Sequence, residues 1–178
     1  MTTSPDQADL TLPSSTDADF QAFVSARSPA LLRTAYLLGG GDWALAEDLL
    51  QAALTKTFLA WGRIRDPNAR EAYVRTTLAT TATSWWRRRW HGERATATVP
   101  DATTADAGLQ FDERDALWRL VLALPVRQRA VLVLRFYEDL SEAQIADTLG
   151  LSPGTVKSHT SRALATLRAE LIRTGAHL

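Results

Sequence analysis

The chain has 178 residues, enough for one ordinary domain or two small ones, and its 46% hydrophobic and 22% charged side chains give a globular balance that excludes wholesale disorder. No stretch approaches the roughly 20 uninterrupted apolar residues of a spanning helix, so no membrane insertion is expected; the absence of cysteine excludes disulfide frameworks and thiolate metal sites and fits a reducing cytoplasm. The net charge is zero but unevenly placed: residues 1–19 hold four acidic and no basic side chains, 20–92 ten basic against five acidic, 93–112 one basic against four acidic, and 113–178 nine basic against seven acidic. Overall neutrality therefore does not exclude a phosphate-bearing partner, because two basic stretches are separated and preceded by acidic ones.

In chain order, residues 1–18 have neither a basic segment nor an apolar run, so they are not a secretion signal and read as a disordered lead-in. Residues 19–92 read as helices. Ser28 and Pro29 look like an N-cap with a first-turn proline, followed by Leu31, Leu32, Ala35, Tyr36 and Leu38 at helical spacing. Gly39, Gly40 and Gly41 end that helix; no Gly-Lys-Ser/Thr follows, so a turn is expected rather than a phosphate loop. Asp42 caps a helix that carries Trp43, Ala46, Leu50, Ala53, Leu54, Phe58 and Trp61 on its buried side. Asp66, Pro67 and Asn68 interrupt the pattern, and a further helix runs from about residue 69 to 90. Residues 93–112 are rich in Thr, Ala and Asp without apolar period, as expected of a linker. Periodicity returns over 113–174 with Leu117, Leu120, Val121 and Leu124, stops at Pro125, and resumes through Val131, Leu134 and Phe136; residues 175–178 are a short tail. The fold class expected is all-α: two small helical domains joined by a flexible linker.

The segment DLSEAQIADTLGLSPGTVKSHTSRALATLR, residues 139–168, is the most informative. Ser141 and Gln144 have capping-box spacing, Gly150 stands where a helix ends in positive φ, and Ser152 with Pro153 starts a second helix. Two helices joined through a glycine turn are a helix-turn-helix, whose second helix enters the major groove. At about 100° per residue, Val156, Ala163, Leu167 and Leu171 form its packing stripe, while Thr155, Ser158, Ser161 and Arg162, flanked by Lys157 and His159, face away. Those exposed types reach base edges and phosphates. A merely solvated helix face would also be polar, but here turn chemistry, spacing and exposed set agree.

TTLATTATSWWRRRWHGER, residues 76–94, sets three tryptophans beside three arginines. Trp86 and Trp90 share a face and read equally as core residues. Trp85 points elsewhere and can stack on an unpaired base, and the arginines, which cannot all be buried, suit a backbone of melted DNA. His91, His159 and His177 are too scattered for a metal site and are expected at the surface.

Together the two halves resemble the sigma-70 superfamily, specifically its short extracytoplasmic-function members that keep only regions 2 and 4. The resemblance covers roughly 20–94 and 113–173, and is most specific over LPVRQRAVLVLRFYEDLSEAQIADTLGLSPGTVKSHTSRAL, which is very similar to region 4. It implies a non-catalytic subunit of RNA polymerase, without cofactor or metal, acting in the cytoplasm. AEDLLQAALTKTFLAW, residues 46–61, resembles the helix that docks on the β′ clamp helices of the polymerase core, with Asp48, Gln51 and Thr55 as its contacts; Ala52 stands where the family usually has Glu. By resemblance, Arg65, Asn68 and Arg70 with Thr80, Ser84, Trp85, Arg87 and Arg88 would face the minus-10 element, although the family often has Asn where Thr80 stands. Lys157, Ser158, Ser161 and Arg162 match recognition-helix positions that face the minus-35 element, and with Thr155 make up that site; Arg127, Arg129 and Arg135 match basic positions near its phosphates. Expected partners are the polymerase core, through its β′ clamp helices and β flap, and promoter DNA, with an anti-sigma factor as in many relatives.

Two other functions remain open on the residues. A helix-turn-helix regulator that is not a polymerase subunit would share the last 50 or so residues, but a receiver domain would need alternating strands and clustered acids that residues 20–92 lack. A recombinase or nuclease would need a metal carboxylate cluster or placed nucleophile, and the acids here lie on helix faces or in linkers.

Overall fold

The computed structural model describes residues 15–92 and 115–175, and every regular element among them is helical. Helix α1 (Ser15–Gly39), α2 (Trp43–Ala60) and α3 (Pro67–Gly92) form the first half; a 3-10 turn over Trp61–Arg63 closes α2. The second half contains α4 (Asp115–Leu122), α5 (Val126–Leu132), a π turn over Val133–Tyr137, α6 (Glu142–Leu149) and α7 (Pro153–Thr174). The expected linker, 93–112, lies outside the described residues, as do residues 1–14 of the lead-in.

Local chemistry sets most boundaries. Gly40 and Gly41 take φ of +84° and +87°, which L side chains adopt only with strain, so α1 turns sharply into α2. Asp42 then accepts a hydrogen bond from Leu45 N at 3.1 Å, satisfying one orphan donor of α2. Asp66 accepts from Asn68 N at 2.9 Å and Pro67 opens α3. One boundary differs from expectation: α1 does not start at Ser28 but runs from Ser15 straight through Pro29. A proline costs an internal hydrogen bond, and what compensates is aromatic packing by the preceding turns. Phe20 meets Phe58 and Trp61 with ring centroids 5.0 Å away in each case, and Phe23 meets Trp61 at 5.1 Å.

Leu31, Ala35 and Leu38 of α1, Ala46, Leu49 and Ala53 of α2, and Val74, Leu78 and Ala82 of α3 make the core of the first half. Lys56 reaches over it, its Nζ donating to the buried Thr81 hydroxyl at 2.9 Å. In the second half Val131 to Leu134 of α5 and the π turn pack on Ile145 of α6 and on Val156, Ala163 and Leu167 of α7. The two cores touch: α3 packs on α6, and α1 on α5 and the π turn. Phe58 and Phe136, expected inward from their spacing, are 43% and 62% exposed. For Phe136 the reason is the π turn, whose extra residue (Glu138 N to Val133 O, 3.0 Å) shifts the helical register.

Candidate nucleic-acid interface

The α6–α7 pair has the geometry of a helix-turn-helix in detail. Ser141 Oγ accepts from Gln144 N at 3.3 Å while the Gln144 side chain accepts from Ser141 N at 2.9 Å, a complete capping box. Gly150 sits at φ 63° and ends α6. Ser152 caps α7 by accepting from Thr155 N at 3.2 Å, and Pro153 occupies the first turn. Val156 and Ala163, both fully buried, seat α7 on α5 and α6, which turns Lys157, Ser161 and Arg162 outward with Ser158 half-buried beside them. Thr155 is committed to the cap, its hydroxyl 2.8 Å from Ser152 Oγ. Lys157 makes only a loose 3.8 Å ion pair with Glu142 of α6, a contact a DNA phosphate can replace because both groups are hydrated. Arg127 on α5 is exposed and Arg135 half-buried. His159, half-buried, has its pKa lowered from 6.5 by burial first and by the Arg127 and Arg162 charges next, which places it within the electrostatic reach of both arginines.

Arg129 departs from the expected role. It is 5% exposed, and its Nη1 donates to Leu122 O and Leu124 O at 3.0 and 3.1 Å, satisfying carbonyls at the end of α4 and in the turn beyond. Its guanidinium lies against Gly40 and 5.8 Å from the Trp86 ring centroid, both in the first half. In this arrangement it holds protein together and offers nothing to a phosphate.

In the first half Arg65, Asn68 and Thr80 are exposed, and Ser84 is half-buried on α3. Arg70 is drawn back: it pairs with Asp19 at 2.8 Å and lies 4.3 Å over the Trp61 ring. Trp85, expected to point away from the core, packs partly against it. Arg87 and Arg88 belong to α3, but their side chains lie outside the described residues. On α2, Asp48, Gln51 and Thr55 are all exposed and share one face at helical spacing. Leu59, 73% exposed, lies at the end of the same helix beside Phe58, which periodicity had put on the buried side, and both add apolar area there. Among the described residues no cluster of three or more His, Asp or Glu could hold a metal, and no helix is long and apolar enough to cross a membrane.

The family profile of sigma-70 region 2 matches residues 23–92, and that of sigma-70 region 4 matches residues 114–167. The RNA polymerase sigma-E factor of Streptomyces avermitilis is 42% identical over 153 residues, covering 86% of this chain and 85% of that one. The chain belongs to the sigma-70 family. A second relative, the RNA polymerase sigma-E factor of Streptomyces coelicolor, is 42% identical over 154 residues, 86% of each chain. Among solved structures, the sigma factor RpoE of Bartonella quintana, determined in complex with the anti-sigma factor NepR, has a similar fold: TM-score 0.63 at 24% identity, over 87% of this chain and 97% of that one. The first half described above is thus region 2, and the helix-turn-helix lies in region 4.

Proposed function

We propose that this chain is an RNA polymerase sigma factor: it binds core polymerase through α2 of region 2, recognises the upstream promoter element through α7 of region 4, and engages the melted downstream element through α3. The observation that carries this is the presence, in one chain and in this order, of both sigma-70 regions at 42% identity to sigma-E factors over most of their length. Asp48, Gln51 and Thr55, with Leu59, form the polymerase contact. Lys157, Ser158, Ser161 and Arg162 read the upstream duplex, with Arg127 and Arg135 on its phosphates and Thr155 shaping the helix start. Arg65, Asn68, Thr80, Ser84, Trp85, Arg87 and Arg88 serve the downstream element. Bond making belongs to the polymerase, so the chain acts in the cytoplasm as a regulatory subunit, and an anti-sigma factor is a fitting antagonist. Run-off transcription with purified bacterial core enzyme on a genomic fragment library tests this. Discrete promoter-initiated transcripts that need the added chain are expected; none under any salt condition overturns it.

A further inference from the structure

The strongest unassigned feature is a carboxylate buried between the two regions. Glu138 ends the π turn, next to Asp139, whose φ of 54° is unusual for a residue other than glycine. Its side chain is 2% exposed and reaches two groups of region 2: Thr34 Oγ1 on α1 donates to Oε1, and Arg75 Nε on α3 lies 2.9 Å from Oε2, poorly aligned for a hydrogen bond and therefore chiefly a Coulombic contact. Arg75 is held in turn by Glu71 at 2.6 Å, and Glu71 by Arg27 at 3.3 Å. Glu138 is buried while Arg75 is 36% exposed, so the carboxylate carries most of the desolvation cost that the attraction must offset. Among the described residues Glu138's side-chain partners, Thr34 and Arg75, both come from the other region, so separating the regions returns its carboxylate to water while the Arg75–Glu71–Arg27 pairs stay within region 2. That is the energetics of a device with two accessible states, not of a permanent core.

The same interface lies beside residues assigned above to promoter binding. Asn68, assigned above to the downstream element, is exposed but lines a cleft of about 380 Å³ with Gln144, Asp147 and Thr148 of α6, so a carboxylate of region 4 shares its cleft. Arg129, at a position that matches the family's upstream phosphate contacts, is anchored on the Leu122 and Leu124 carbonyls of its own region and lies against Gly40 and Trp86 of the other. We propose that Glu138 is an interdomain latch: with Thr34 and Arg75 it holds regions 2 and 4 in a closed state, and full promoter engagement requires its release. This rests on the sigma-factor function proposed above.

The cysteine-free chain allows a direct test. Ala44→Cys and Ala165→Cys, at exposed positions of α2 and α7, accept a pair of spin labels, and the distance distribution is measured on the full chain. The parent gives one narrow distribution; Glu138→Gln and, from the opposite region, Arg75→Ala each shift it to longer and broader distances, and combining them adds little. Arg75→Ala leaves the region 4 sequence intact, so agreement between the two excludes local unfolding as the cause. If closure dominates by about nine to one, release strengthens apparent binding to a promoter fragment about tenfold. Identical distributions in the three proteins, or a parent already as broad as the variants, overturn the latch. Opening without transcription by the core holoenzyme would instead sink the sigma-factor function and leave the latch standing.

Discussion

Arg129→Ala separates two roles for one arginine. Burial lowers the guanidinium pKa well below its ordinary value, to about 10, so it stays charged at neutral pH but is held in the interior at a cost. At about 1.4 kcal/mol per pKa unit that cost is roughly 3 kcal/mol. Against it stand two hydrogen bonds from a charged donor, about 1.5–3 kcal/mol each, and truncation also leaves Leu122 O and Leu124 O short of a donor. The balance is a loss of about 2 kcal/mol, hence a fall in Tm of roughly 4–8 °C for a chain of this size. Urea denaturation followed by tryptophan fluorescence measures it, with Trp86 close by as a reporter. Arg129→Lys recovers part of the loss, since one ammonium reaches fewer carbonyls than a planar fork. An unchanged midpoint together with loss of upstream-element affinity would refute this account and restore the arginine to the DNA surface.

Gly40→Ala is expected to destabilise by at least about 1 kcal/mol, because positive φ strains any Cβ and the new atom would stand 2.9 Å from Arg129 Nη2; a midpoint unchanged in chemical denaturation contradicts the contact. His159 has a folded pKa below its ordinary 6.5, so the unfolded chain binds more protons, and stability falls as pH drops through about 6.5 toward the lower folded value. His159→Gln flattens that dependence. A phosphate docked on Arg127 and Arg162 would raise the same pKa, so wild-type DNA affinity should rise over that window once stability is corrected for, which titration in buffers of different ionisation enthalpy detects as proton uptake. Leu59→Ser, combined with Asp48→Ala, lowers affinity for core polymerase at least tenfold without lowering Tm, since both side chains are exposed; native affinity in a competition assay places the dock elsewhere.

The elements legible in the sequence are those set by neighbours in the chain. The Asp42 cap, the glycine turn at 40 and 41, the Ser141–Gln144 box, Gly150 and the Ser152–Pro153 start all act within four residues, so local chemistry suffices. The polar face of α7 was readable for the same reason, since one buried stripe at Val156, Ala163 and Leu167 determines which side is left. The start of α1 was not, because the helix passes Pro29 by virtue of Phe20 and Phe23 meeting Trp61, a contact about 40 residues away that only packing supplies.

Arg129 and Glu138 show the limit most clearly. A charged residue in a basic, helical segment reads as surface, because burying a charge is costly unless partners are supplied. Here the partners are Leu122 and Leu124 carbonyls, Thr34 and Arg75, some of them more than 60 positions away and brought near only when the halves close. Helix order, caps and the outward polar face of α7 follow from the amino-acid string by itself, since short-range bonds and periodicity specify them. Which charges turn inward, and therefore how the two regions hold each other, was decided by tertiary structure, because only the folded chain delivers the groups that make such burial tolerable.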